Sequence, residues 1–218
     1  MLRMRMLLET FEAGPFACNC SVIACEATRE AVVIDPGGEV DRIADIVRSN
    51  DLTVKAIIHT HAHLDHIYCT RDVKEAHGGD IWLHKGDLFL YDGIAQQAAM
   101  FGWQPRPVLP VDVYMKDGDR VAFGAHAALV IYTPGHTPGS VCFEVTEAGE
   151  PTLLFSGDTL FKRSVGRTDL PGGDARLLER SIKNKLYVRD LDTIVIPGHG
   201  DSTTLGEEAR KNPFVTAR

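Results

Sequence analysis

The sequence has no Cys-x-x-Cys pair, and its five cysteines (Cys18, Cys20, Cys25, Cys69, Cys142) are odd in number. That argues against a disulfide framework and for a reducing compartment. Cys18-Asn19-Cys20 has no second pair with which to close a soft-metal site, so it reads as strand. No apolar run approaches the roughly 20 residues of a membrane span. The early run Met6-Leu7-Leu8 stops at Glu9, too short for the core of a secretion signal. The reading is a cytoplasmic protein with no leader and no membrane partner. Positive charge is also scarce. Against 30 Asp and Glu stand 23 Lys and Arg, a net charge of −7 at pH 7. That is the wrong sign for gripping phosphate backbones, so no nucleic acid partner is expected. There is no P-loop, no dinucleotide fingerprint and no Gly-x-Ser-x-Gly elbow around Ser156. Low-complexity segments and internal repeats are missing too, and nothing in the sequence sets an oligomeric state.

What remains reads as one α/β domain over residues 1–218. Strands are expected at 4–12, 18–25 and 31–34, then a turn at Asp35-Pro36-Gly37-Gly38. Val40, Ile43, Ala44 and Val47 make the i, i+3, i+4, i+7 stripe of a helix over 39–50. A buried strand at 54–58, a helix at 70–77 and a strand at 80–84 follow. Residues 87–104 read as interrupted helix and 104–110 as an extended linker. Further strands fall near 120–124, 127–133, 141–145 and 152–156. Asp174 caps a helix over 175–187 that carries Leu178, Ile182 and Leu186 on one face. "DTIVIPGHG" supplies a last strand and turn, and Thr204 with Glu207 makes the capping-box pattern of a terminal helix.

Histidine, by contrast, is concentrated: of nine in the chain, four lie in "HTHAHLDH" at 59–66. Four apolar strands run into residues able to bind metal, namely His61, His136, Asp158 and His199. Glycine precedes three of them (Gly135, Gly157, Gly198), which allows a sharp turn and close backbone approach. Strand ends meeting at one edge are the usual place for a site in α/β proteins. Asp65 and His66 are adjacent, so they diverge, and they share one ion poorly with both His61 and His63. Two ions fit better. His61, His63 and His136 make a three-nitrogen set, and Asp65, His66 and His199 a mixed one. Asp158 can bridge them, because a carboxylate has two oxygens. Asp65 and Asp158 are the candidate catalytic carboxylates. Imidazole with carboxylate suits zinc, with iron and manganese as the other candidates. Neither set is coordinatively closed, which is the mark of a catalytic rather than a structural site. His59 falls outside the register and reads as a strand residue or a support behind the ligands. His77, His84 and His126 have no ligand-like context.

The run Thr60-His61-Ala62-His63-Leu64-Asp65-His66 resembles the signature of the metallo-β-lactamase superfamily. Asp35 in "VVIDPGG", His136 in "TPGHTPGS", Asp158 in "LLFSGDTLF" and His199 in "PGHG" follow the superfamily's motifs in order. The resemblance implies an αββα sandwich with the metal site at one edge of two facing sheets. It also implies that Asp35 supports a ligand rather than ligating. "GDTLFKRSVGRTDLPGGD" and "PGHGDSTTLGEEARKNPF" look like glyoxalase II, the hydroxyacylglutathione hydrolases, in the short bacterial type without the C-terminal helical domain. That likeness implies a glutathione-derived thioester such as S-lactoylglutathione as substrate. It also implies contact between Arg167 and the glutathione part. Where the family carries a tyrosine two residues on, this chain has Asp169. The bland reading of Arg167 is a surface salt bridge to Asp169 or Asp174.

The nearest rival is a persulfide dioxygenase of the same superfamily, which resembles the chain around "GRTD". That family uses one iron, at positions matching His61, His136 and Asp158. Its last motif reads Pro-Ala-His-Asp-Tyr, against Pro197-Gly198-His199-Gly200 here, which favours the hydrolase. A β-lactamase fits less well, since those enzymes carry cysteine where Asp158 stands. The alternative outside enzymology is a non-catalytic metal-binding module.

Overall fold

The computed structural model describes residues 5–216. Met4, the head of the first expected strand, lies outside the described residues. The first sheet holds β1 (Met6–Ala13), β2 (Cys18–Cys25), β3 (Glu30–Ile34) and β4 (Thr53–Ile58). Helix α1 (Val40–Ser49) crosses over between β3 and β4. Then come α2 (Leu64–Ile67), α3 (Thr70–His77) and β5 (Asp80–His84). After a 3-10 turn at Lys85–Asp87, α4 (Leu88–Asp92) and α5 (Ile94–Phe101) lead to β6 (Val113–Met115), which completes the sheet in the order β1-β2-β3-β4-β5-β6.

The second sheet starts with β7 (Arg120–Phe123), β8 (His126–Tyr132), β9 (Val141–Val145) and β10 (Leu153–Gly157). A ribbon of β11 (Leu160–Phe161) and β12 (Ser164–Val165), then α6 (Ala175–Ser181), precede β13 (Ile194–Pro197). β14 (Thr203–Thr204) and α7 (Leu205–Lys211) follow, and the sheet order is β14-β13-β10-β9-β8-β7.

Strand alternation builds the layers, because successive side chains point to opposite faces. Val32, Ile34, Ala56 and Ile58 of the first sheet pack on Val130, Phe143 and Phe155 of the second, forming the core between the sheets. The other face of the first sheet, through Val22, Val33 and Ile57, meets Ile43 and Val47 of α1 and Val73 of α3. On the second sheet, Ile131, Leu154 and Val195 meet Leu178, Ile182 and Leu186. The result is helix, sheet, sheet, helix: the αββα sandwich.

Most elements fall within a residue or two of expectation. The helix expected over 175–187 starts as read, with the Asp174 carboxylate accepting from Leu177 N–H at 2.9 Å, but changes to a wider π-turn at Ile182–Leu186. The capping box is half made. Thr204 Oγ1 accepts from Glu207 N–H at 3.2 Å, while the Glu207 carboxylate turns to Arg163 and Lys211. The interruption in 87–104 is Gly93, between α4 and α5. β6 and the two-residue strands β11, β12 and β14 carry too few side chains for a readable period.

Candidate metal centre

The residues at this edge come from both sheets. His61 lies just past β4, His63 stands at the N-cap of α2, and Asp65 and His66 belong to α2. His136, Asp158 and His199 follow β8, β10 and β13 of the second sheet. Only Asp158 comes directly after its strand, and the histidines sit in the loops beyond. His59 is also already past β4, which ends at Ile58. Two of the glycines explain themselves. Gly157 has a φ of 48°, and a β-carbon there would lie 2.3 Å from Thr60 Oγ1. At Gly198 a β-carbon would lie 2.2 Å from Asp158 Oδ1, so the His199 loop closes over the carboxylate only with glycine there.

Ligand-capable atoms gather in three overlapping trios: His61, His63, His136; His61, His66, Asp158; and Asp65, His66, His199. His136 Nε2 is 3.2 Å from His61 Nε2 and 2.9 Å from His63 Nδ1. Asp158 stands between the groups. Its Oδ2 is 3.5 Å from His136 Nε2, and its Oδ1 is 3.5 Å from His66 Nε2 and 3.8 Å from His199 Nε2. Asp65 Oδ2 is 3.1 Å from His199 Nε2 and 3.6 Å from His66 Nε2.

The ring nitrogens that face away from the cluster set the tautomers. His136 Nδ1–H donates to the Arg167 carbonyl at 2.7 Å, and His199 Nδ1–H to the Phe16 carbonyl at 3.0 Å. His66 Nδ1–H donates to Asp35 Oδ2 at 3.0 Å. The single hydroxyl proton of Thr60 goes to Asp35 Oδ2 at 2.6 Å, so Thr60 Oγ1 can only accept from His61 Nδ1–H, at 3.1 Å. With Nδ1 engaged in this way, these four rings turn Nε2 toward one another, the nitrogen left to bind a cation. His63 does the reverse: its Nδ1 faces the cluster, and its Nε2 is buried without a partner.

Converging lone pairs repel unless a cation lies between them. His66 Nε2 and Asp158 Oδ1 are buried with no hydrogen-bond partner, which is costly unless something else satisfies them. The donor set thus fits a bound divalent metal. Burial lowers His66 and His199, but neighbouring acids (Cys18, Asp65 and Asp158 for His66, Asp65 and Asp158 for His199) raise both above the usual histidine value, so positive charge is favoured at this end of the cluster. Burial, with His66 and the other imidazoles close by, depresses His61 well below the usual histidine value. Burial works against charge on Asp158, but His66, His136 and His199 hold it well below the usual carboxylate range.

Asp35 stands behind the cluster. It is buried, and its Oδ1 accepts Thr60 N–H at 2.8 Å while Oδ2 serves both Thr60 and His66. It reaches the cluster only through those two residues. His59 lies further back, with Nε2 3.2 Å from Thr70 Oγ1 and Nδ1 3.8 Å from Asp35 Oδ1. Burial pushes its pKa down to about 4, so it stays neutral. Arg167 contributes its carbonyl to His136, but its guanidinium turns outward. Nε and Nη2 each donate to an Asp169 carboxylate oxygen at 2.7 Å, in a bidentate pair.

Two residues were missed by sequence reasoning. Asp87 is fully buried. Its Oδ2 accepts from Ala62 N–H at 3.0 Å and Thr137 Oγ1–H at 2.7 Å, and its Oδ1 accepts from Gly139 N–H at 2.6 Å. It thereby ties the loop carrying His61 and His63 to the loop carrying His136. Burial pushes its carboxyl up to about 6, against the pull of these donors. Gln97 on α5 fixes the neighbouring wall. Its Oε1 accepts Leu64 N–H, and its Nε2 donates to the Ala62 and Leu90 carbonyls. No local period marks either residue.

A cavity of about 350 Å³ opens at the centre and is lined by His63, Asp65, His136, Asp158 and His199 on one side. Among the described residues no helix is long and apolar enough to cross a membrane.

Comparison with known proteins agrees with this picture. A Mycobacterium tuberculosis protein described as uncharacterized is 42% identical, with 96% of this chain and 98% of that one covered. The hydroxyacylglutathione hydrolase GloC of Haemophilus influenzae is 36% identical over 98% of this chain and 100% of its own. The mitochondrial persulfide dioxygenase of Homo sapiens is 29% identical, covering 97% of this chain and 76% of that one. Among solved structures, a B3 metallo-β-lactamase superposes with a TM-score of 0.85 at 35% identity, covering 96% of this chain and all of its own. A protein solved in a di-iron-bound form superposes with a TM-score of 0.82 at 39% identity, covering 95% of this chain and all of its own. The sequence profile of the metallo-β-lactamase superfamily matches residues 13–199, and with the sandwich and its imidazole-rich edge it establishes that the chain belongs to that superfamily.

Proposed function

We propose that the protein is a metal-dependent thioester hydrolase holding two divalent ions. His61, His63 and His136 would hold one, Asp65, His66 and His199 the other, with Asp158 shared. The observation that carries the reading is the position of Asp158, with one oxygen toward His136 and the other toward His66 and His199. The substrate class is a small-molecule thioester in the cytoplasm, with S-(2-hydroxyacyl)glutathione such as S-lactoylglutathione as the first candidate. Similarity to the Haemophilus hydrolase supports that choice.

Two divalent ions, when bound, supply an ionised water near neutral pH and Lewis acidity toward an acyl oxygen; zinc suits the donor set, and iron is supported by the di-iron relative. Asp158 would orient that water, and Asp65 would take the proton released as it ionises, before the C–O bond forms. The C–S bond then breaks. The leaving thiolate, with a conjugate-acid pKa of about 8.5, departs without strong acid help. Asp87 and Asp35 keep the segment carrying His61, His63 and His66 in register with the loop carrying His136.

The second reading, a persulfide dioxygenase, is favoured by the human relative. One purified sample separates them by elemental analysis, thioester hydrolysis, and oxygen uptake with glutathione persulfide. Two ions per chain with thioester turnover supports the hydrolase. One iron with oxygen uptake and no thioester turnover replaces it.

A further inference from the structure

Part of the cavity lining is apolar, and none of the side chains there is a candidate metal ligand. Leu64 and Leu90 form its floor, and Phe16, Met100 and Phe101 its rim. The rim side chains are 40%, 71% and 50% exposed. Exposed large apolar side chains that converge on one concave site mark a surface kept for a ligand rather than for the core. The wall is preformed. Gln97 pins α5 to the loop at 62–64 by two hydrogen bonds and to α4 by a third. The Phe16 ring lies against Phe101 at 5.0 Å and Trp103 at 5.2 Å between centroids. The Phe16 carbonyl also takes the His199 Nδ1 proton, so the wall and the ligand frame share a residue.

Charge on the lining runs the other way from what a glutathione or coenzyme moiety needs. Among the described lining residues the one Lys or Arg is Arg167, and Asp169 already occupies its guanidinium. The thiols that commonly carry acyl groups are themselves anionic at neutral pH, so an apolar wall with no unpaired cation beside it is a poor seat for them. The uncharged half of such a thioester is its acyl group.

We infer that the Phe16–Met100–Phe101 wall seats the acyl half of the substrate, and that this acyl group is a bulky apolar one, alkyl or aryl, larger than lactoyl. The charged thiol half then extends through the open mouth into solvent. Naming the seated group as acyl rests on the thioester reading; the presence of an apolar subsite does not.

Two measurements on the metal-loaded protein test this. The first is binding of straight-chain carboxylates from propanoate to octanoate, read by tryptophan fluorescence, since Trp103 abuts Phe16. The second is kcat/KM for S-lactoyl-, S-2-hydroxyhexanoyl- and S-mandeloylglutathione, which share a thiol and a 2-hydroxyl. Each added methylene should lower Kd about fourfold, as burial of a CH2 group predicts, and kcat/KM should rise in step. In the double variant Met100→Ser, Phe101→Ser the chain-length dependence should flatten. Phe89→Ser, an exposed phenylalanine outside the cavity lining, should retain it. A Kd series flat from propanoate to octanoate, or one unchanged in the double variant, overturns the subsite. A flat kcat/KM series beside a sloping Kd series overturns the acyl assignment while leaving hydrolysis standing. No turnover of any thioester beside a sloping Kd series overturns the hydrolase reading, and the acyl identity with it.

Discussion

The two sides of the site are built on opposite terms. On the imidazole side, four of five rings have their outward nitrogen bonded to the protein, through Thr60, Asp35 and the Arg167 and Phe16 carbonyls. On the apolar side, the rim residues Met100 and Phe101 are half-exposed or more, and one side chain, Gln97, pins their helix to the metal loop. A ring fixed at its far nitrogen cannot swing, and positional error costs rate steeply. A rim methionine can change without disturbing the fold. On the proposed reading, reaction chemistry belongs to the pinned half and substrate choice to the exposed half, which is how one superfamily can host several reactions.

The largest expected effect breaks the pinned half at its centre. Asp158→Ala should lower thioester turnover about a thousandfold or more at saturating metal, because among the described residues no other side chain has an oxygen toward both groups. Circular dichroism should remain that of the folded chain. Activity above a tenth of wild type would remove Asp158 from the bridging role.

Next comes Asp87, which pins loops rather than ligands. Its folded pKa of about 6 lies above the unfolded value of about 3.9. As pH rises from 4 to 6, the unfolded chain releases this proton first, so wild type should lose stability relative to Asp87→Asn across that window. The loss amounts to roughly 3 kcal/mol by linkage, or about a hundredfold in the folding equilibrium. Urea titrations of both proteins in chelator measure it. A flat difference would mean that the three donors hold the carboxylate charged throughout.

A smaller effect is expected one bond behind the ligands. Asp35 has a φ of 49°, which asparagine tolerates, so Asp35→Asn should fold. Its amide can keep only one acceptor oxygen where the carboxylate serves Thr60 N–H, Thr60 Oγ1 and His66 Nδ1. Metal affinity should fall about ten- to a hundredfold, read by chelator competition. Unchanged affinity would show that His66 needs no partner at Nδ1.

The legibility of the molecule follows the same division. His61, His63, His136 and His199 could be picked out because ligand chemistry restricts residue type, and Asp65 and Asp158 because carboxylates beside them complete the set. Strands such as β9 and β10 were readable from their apolar runs and turns. Periodicity did not reveal that two sheets face each other; the family motifs carried that. Asp87 was invisible for a physical reason. Its partners lie 25, 50 and 52 residues away, and no local pattern encodes a contact of that length. The apolar rim escaped for the opposite cause: Met100 and Phe101 read as ordinary helix residues until the fold places them beside the histidines.

The smallest effect concerns Arg167, at the seam between the halves. Its guanidinium is exposed and engaged with Asp169 through two hydrogen bonds. A substrate carboxylate must therefore compete with a carboxylate already in place, and exposed pairs of this kind are worth little. If Arg167 contacts the glutathione moiety, Arg167→Ala should raise KM for a glutathione thioester about three- to tenfold and leave kcat near wild type. A small neutral thioester should show no such change. Asp169→Ala then acts in the opposite direction: it frees the guanidinium and lowers KM for the glutathione thioester. Salt should weaken the effect of both variants, as screening requires. Opposite signs in the two variants assign the arginine to the substrate. A shift of the same sign in both, or the same shift with the neutral thioester, assigns the pair to holding the loop that offers its carbonyl to His136.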